Sequence, residues 1–158
     1  MHVAIFGGSF DPVHLGHLAV ADAARAQLAI DQLRWVPVGS PWQKTRVLAP
    51  TIHRVAMLRL ALEGTRDVID ERETARGGPT YTIDTLEALA LEQPAHTRVL
   101  VIGQDQFARF HTWHRWRDVL ARADLAVVAR DGHAPATSHE VSAAIINAGR
   151  RTQALHMR

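Results

Sequence analysis

The sequence predicts an α/β fold: an open, doubly wound sheet, mainly parallel, of about five strands with helices on both faces. Three stretches predict it. Residues 3–6 (VAIF) form an apolar run closed by Gly7-Gly8, an alanine-rich helical stretch follows from Leu15, and residues 33–38 read as a second strand. That spacing is a βαβ unit, whose default is a parallel pair with a right-handed crossover. Residues 98–102 are a buried strand turning off at Gly103-Gln104-Asp105, and residues 125–129 are another, closed by Arg130-Asp131-Gly132.

The remaining elements follow in order. The first helix runs from Leu15 to Leu28, free of proline and of glycine beyond Gly16. Residues 39–50 hold turn-forming breaks and one lysine, Lys44, and are expected to be a loop over the site. Thr51 is placed as an N-cap, with Val55, Leu58 and Leu62 on the core face before Gly64 stops the helix. Residues 68–73 are expected to be an edge-like strand, because Asp70, Glu71, Arg72 and Glu73 are too charged for a buried one. Thr82 then caps a helix whose apolar face is Ile83, Leu86 and Ala90. Phe107, Phe110, Trp113 and Trp116 recur every three residues, and Phe107, Phe110 and Trp116 are expected to form an apolar helix face; residues 140–148 read as a short amphipathic helix.

With 158 residues, 47% hydrophobic and 22% charged, the chain suits one domain with a sizeable core. No apolar run is long enough to span a bilayer, and the amino terminus lacks the basic-then-apolar build of a signal peptide. A cytoplasmic protein without a leader is expected. There is no cysteine, hence neither a disulfide framework nor a thiolate zinc site. The formal charge is +2 and the basic residues are scattered apart from Arg115/Arg117 and Arg150-Arg151, so neither a nucleic-acid nor a membrane partner is expected.

The candidate site is the stretch from Val3 to His17. It lays Gly7-Gly8 and two imidazoles, His14 and His17, between a strand's carboxyl end and a helix's amino end. Unpaired N–H groups and the positive end of the helix dipole favour anions there, and glycine lets phosphate oxygens approach the backbone. It is neither the three-glycine dinucleotide fingerprint nor a P-loop. His2, His53, His96, His133, His139 and His156 are expected to be packed or solvated rather than functional. Arg130, at another strand's carboxyl end, is a candidate triphosphate contact, and Asp105 suits a ribose diol.

Gly-Gly-Ser-Phe-Asp-Pro followed by His14-x-Gly16-His17 resembles the signature of the nucleotidylyltransferase superfamily, and within it the chain is similar to the bacterial nicotinate mononucleotide adenylyltransferases. The resemblance implies a Rossmann-like fold and adenylyl transfer from ATP to nicotinate mononucleotide. It implies catalytic roles for His14 and His17, and ATP contacts at Gly7, Gly8, Ser9, Phe10, Gly103 and Asp105. For nicotinate mononucleotide it implies Lys44 on the phosphate, although Gln43 stands where the family often has histidine. It also implies Tyr81 and Thr82, from Tyr81-Thr82-x-Asp84-Thr85, at the carboxylate, Trp113 stacked on the pyridine ring and the His114 backbone beside it. Mg²⁺ is expected with ATP, and no protein metal ligand is assigned. The Ser-Ser/Thr-x-x-Arg motif and final helices of the family are not found before Arg158, so residues 1–158 are expected to form a single domain lacking them. Phosphopantetheine or nicotinamide mononucleotide adenylyltransferases and a non-catalytic nucleotide-binding module are the rival readings.

Overall fold

The computed structural model of the chain describes residues 1–41, 47–76, 79–129 and 133–157. Its elements are β1 (His2–Gly8), α1 (Leu15–Gln27), β2 (Gln32–Pro37), β3 (Ser40–Pro41), α2 (Thr51–Ala61), β4 (Val68–Ile69), α3 (Arg72–Ala75), β5 (Pro79–Thr80) and α4 (Thr82–Glu92), then β6 (Thr97–Gly103), α5 (Gln104–Ala108), a 3₁₀ turn (Phe110–Thr112), α6 (Trp116–Leu120), β7 (Asp124–Val128), α7 (His139–Asn147) and β8 (Thr152–Leu155).

Six strands form one parallel sheet in the order β4-β2-β1-β6-β7-β8. The chain winds outward through β2 to β4 on one side of β1 and through β7 to β8 on the other side of β6. The winding therefore reverses between β1 and β6, and a crevice opens beyond their carboxyl ends. The doubly wound α/β expectation holds, with a sixth strand, β8, beyond the expected five. β3 and β5 pair separately as a small parallel ladder.

Alternation along the strands sorts the core onto two faces. Val3, Ile5, Leu100, Ile102, Leu125 and Val127 meet α4 to α7 on one face. Ala4, Phe6, Leu33, Trp35, Val99 and Val101 meet α1 and α2 on the other. Near-continuous apolar strands are what a parallel sheet covered on both sides requires.

Several expectations need correction. Residues 68–73 are a strand only at Val68–Ile69. Asp70, 7% exposed, accepts bonds from the Arg34 and Arg72 guanidinium groups and from the Arg72 backbone N–H, an aspartate turn that opens α3. The charges thus end the strand and neutralise one another. Phe107, Phe110 and Trp116 are buried as expected, but on three short pieces, because α5 ends at Ala108 and the chain turns again at Arg115 with φ 51°. Thr51 and Thr82 are first helical residues after Pro50 and Tyr81 rather than caps. Gly64, at φ +82°, does follow the end of α2.

Arg115 pairs with Glu87 and Asp118, Arg117 with Glu140, and Arg150 holds the Leu120 and Ala121 carbonyls. Among the described residues, no helix is long and apolar enough to cross a membrane.

Candidate functional site

At the β1/β6 crevice lies a cavity of about 510 Å³ lined by Gly7, Gly8, Ser9, His14, His17 and Gly103, among others. The local sequence builds it in three steps. Glycines end β1 with no side chain over the crevice. Phe10 then turns left-handed, at φ 46°, and buries its ring against Phe6 and Trp35 at centroid distances of 5.4 and 5.2 Å. Its ring also packs edge-to-face with the His17 ring at 5.1 Å. Left-handed backbone is strained for a residue with a bulky side chain, and burial of that side chain holds it there.

The third step is the start of α1. His14 is its N-cap, and the His14 Nδ1 accepts the Gly16 N–H at 3.0 Å. His17, three residues on, accepts the His14 N–H on its own Nδ1 at 3.1 Å. This is a capping box made of imidazoles in place of the usual hydroxyl and carboxamide. An Nδ1 that accepts an amide hydrogen carries none itself, so each neutral ring is the Nε2–H tautomer. Each ring keeps one donor, Nε2–H, for the cavity that both residues line. Burial, reinforced by the neighbouring His14, pulls the His17 pKa down to about 4, so at neutral pH its ring is uncharged.

Seven of the nine residues expected around ATP line this cavity: Gly7, Gly8, Ser9, Phe10, His14, His17 and Gly103. Asp105 lies exposed in the first turn of α5, and Arg130 is outside the described residues. The Gly103 N–H is taken by Gln106, whose Oε1 accepts it at 2.9 Å. Of the expected mononucleotide contacts, Lys44 is outside the described residues. The others gather between α4 and α6: Tyr81 and His114 face each other at 4.3 Å, Trp113 is half-buried against Phe110 at 4.9 Å, and Thr82 opens α4.

The family model described as cytidylyltransferase-like matches residues 5–152. A probable nicotinate-nucleotide adenylyltransferase of Methylibium petroleiphilum is 46% identical over 142 residues, 89% of this chain and 67% of the relative. One of Bordetella petrii is 46% identical over 131 residues, 82% and 66% of the two chains. The chain belongs to the cytidylyltransferase-like family, on its nicotinate-nucleotide adenylyltransferase branch. It spans about two thirds of the length of these relatives. The fold is also that of the Plasmodium falciparum nicotinic acid mononucleotide adenylyltransferase complexed with NaAD, at TM-score 0.76 and 19% identity over 99% of this chain and 75% of that one. A putative nicotinate-nucleotide adenylyltransferase of Vibrio parahaemolyticus superposes at TM-score 0.66 with 20% identity, covering 97% and 98%.

Nucleotidyltransferases generally use divalent metal ions. In this family member no group of three or more His, Cys, Asp or Glu among the described residues is placed to hold one. Asp11, at the cavity wall, has its Oδ2 engaged by the Ala49 N–H. These side chains do not form a metal cage.

Sequence reasoning missed Gln106 and Arg54. Gln106 carries no signal beyond lying three residues after Gly103. Arg54 carried one: it precedes Leu58 by four residues and so lies on the buried stripe of α2, where a charge is out of place.

Proposed function

We propose that the chain transfers adenylate from ATP, bound as its magnesium complex, to nicotinate mononucleotide in the cytoplasm, as a step of NAD biosynthesis. The observation that carries this reading is the imidazole capping box, which aligns two Nε2–H donors on the cavity at the glycine end of β1. A 5′-phosphate oxygen of the mononucleotide attacks the α-phosphorus of ATP. The new P–O bond forms as the bond from the α-phosphorus to the bridging oxygen breaks, and pyrophosphate leaves with the electron pair.

The attacking phosphate is already ionised at neutral pH, so the protein need supply no nucleophile or strong base. Catalysis is positioning plus stabilisation of charge on the phosphoryl oxygens. His14 and His17 donate from Nε2 to those oxygens, backbone of the Gly7-Gly8-Ser9 turn lies along the triphosphate, and the amino end of α1 favours its charge. A neutral His17 donor costs nothing to keep protonated at Nε2 near pH 7. The pyridine ring stacks on Trp113, and its carboxylate meets the amino end of α4 at Thr82. Lys44, Asp105 and Arg130 are assigned to substrate phosphates and ribose on sequence grounds.

Magnesium-dependent pyrophosphate release from ATP tests this, with nicotinate mononucleotide, nicotinamide mononucleotide and phosphopantetheine offered separately. Release with the first alone is expected. Release with another acceptor only would reassign the substrate, and ATP binding with no release from any would make the chain a nucleotide-binding module. In the active chain, His17→Ala should lower kcat by about 100- to 1000-fold while ATP affinity changes far less, the mark of a donor used in the transition state.

A further inference from the structure

Arg54 on α2 is 1% exposed, one of the most buried side chains of the protein. Its Nη1 donates to the Ser9 carbonyl at 2.9 Å and to the Val38 carbonyl at 2.8 Å, and its Nε donates to the Ala49 carbonyl at 2.9 Å. One guanidinium therefore gathers the loop after β1, the chain leaving β2 and the chain entering α2. The junction is tied twice more, by the Val38 N–H on the Gly8 carbonyl at 2.9 Å and by the Ala49 N–H on Asp11.

The Ser9 carbonyl belongs to the peptide bond that leads into Phe10, the residue held left-handed at φ 46°. The Phe10 ring in turn packs edge-to-face with the His17 ring at 5.1 Å. A strained turn persists only where its surroundings over-determine it. Here the buried Phe10 ring fixes one side of the turn and Arg54 grips the other. Lysine cannot repeat the grip: a guanidinium is a planar fork that meets several acceptors at once, whereas an ammonium on a flexible stem is a point charge.

We propose that Arg54 is a positioning residue of the nucleotide site, acting through the Ser9 carbonyl and the Phe10 turn to set where His17 presents its Nε2–H. The inference rests on the reading that the β1/β6 cavity takes the nucleotide, and its test includes a readout independent of activity. Arg98 is the control: 8% exposed, it also donates to backbone carbonyls, those of Leu89 and Gln93, and it lies outside the cavity lining.

Arg54→Lys, Arg54→Met, Arg98→Lys and the unaltered chain are compared by thermal unfolding, by kcat and KM for both substrates, and by the ¹⁵N signals of the His17 ring at pH 8. Displacement of a reacting group by about 1 Å costs on the order of 100-fold in rate. In Arg54→Lys, kcat should fall at least about tenfold with smaller changes in KM, and the His17 ring signals should move. Arg98→Lys should lose stability alone. If Arg54→Lys or Arg54→Met lowers the melting temperature but leaves the His17 signals and kcat as in the unaltered chain, Arg54 is structural and the inference fails. If the unaltered chain proves inactive, the proposed reaction fails while the His17 signals still decide the role of Arg54.

Discussion

His14 and His17 stack with ring centroids 3.8 Å apart and planes 25° from parallel, each ring turned by a backbone amide at its Nδ1. The atoms that start α1 are the atoms that select the tautomer of both rings. Helix initiation and donor alignment are therefore one arrangement, and removing either imidazole deletes a cap, costing about 1 kcal/mol of stability, together with a donor.

That arrangement sets a pH dependence. The His17 pKa is pulled down to about 4 by burial and by His14, against an ordinary value of 6.5. A histidine with a depressed folded pKa leaves stability intact above the unfolded value, and stability is lost as pH falls from 6.5 toward 4, where the unfolded chain binds the proton first. On the proposed role of His17, protonation of its Nδ1 breaks the bond from the His14 N–H that orients the ring, so this ring should contribute to the acid limb of kcat/KM in the free enzyme. Its contribution should bend near pH 4 rather than near 6.5. A histidine titration followed by NMR, with His17→Ala to assign the signal, checks it; a His17 midpoint near 6.5 would contradict the buried, capped ring.

Gly16→Ala should separate stability from activity. A Cβ at residue 16 would lie 2.8 Å from the His14 Cε1 and 3.0 Å from its Nδ1, so the His14 ring must swing away. Alanine meanwhile favours a helical position over glycine by up to about 1 kcal/mol. The lost His14 cap offsets that gain, so thermal unfolding should show a melting temperature unchanged or slightly lowered, while kcat falls at least about tenfold. A fully active variant would mean that His14 does not work from the capped position.

Much of this site was legible in the sequence because its determinants are local. Gly7-Gly8, His14, Gly16 and His17 lie within one strand-turn-helix, where spacing dictates geometry. Residues 68–73 were misread because the partner that buries Asp70, Arg34 on β2, is 36 residues away and invisible to local pattern. The aromatic spacing of Phe107 to Trp116 predicted burial correctly but not the break at Arg115, since an every-third-residue pattern does not reveal a left-handed residue. Arg54 was legible only as an anomaly, because its acceptors are backbone carbonyls that no sequence pattern encodes.

Gly39→Ala tests the approach of the chain leaving β2 to α3. A Cβ at residue 39 would lie 2.3 Å from the Glu73 carbonyl oxygen and 3.2 Å from its carbon. Both sides are backbone, so one must shift. Destabilisation of about 1–3 kcal/mol is expected, which for a domain of this size is a fall of very roughly 2–12 °C in melting temperature. A melting temperature equal to that of the unaltered chain would show that the two segments separate freely.

Glu73 itself is 6% exposed and accepts a hydrogen bond from the Thr85 hydroxyl. Burial pushes its carboxyl above the ordinary carboxylate range, with the Thr85 hydroxyl and the Arg76 charge opposing and losing. A raised folded pKa means that its stabilising contribution is complete below the unfolded value of 4.5 and is lost as pH rises through the folded one. Above the unfolded value the buried carboxyl is thus a burden, and glutamine keeps both the shape and an oxygen to accept from Thr85. Glu73→Gln should equal or exceed the unaltered chain in melting temperature at pH 7 and flatten the stability profile above pH 4.5. Glu73→Ala should instead lose about 1–3 kcal/mol by leaving the Thr85 hydroxyl without its acceptor. A Glu73→Gln variant as unstable as Glu73→Ala at pH 7 would show that the negative charge, set against Arg76, is what this pocket requires.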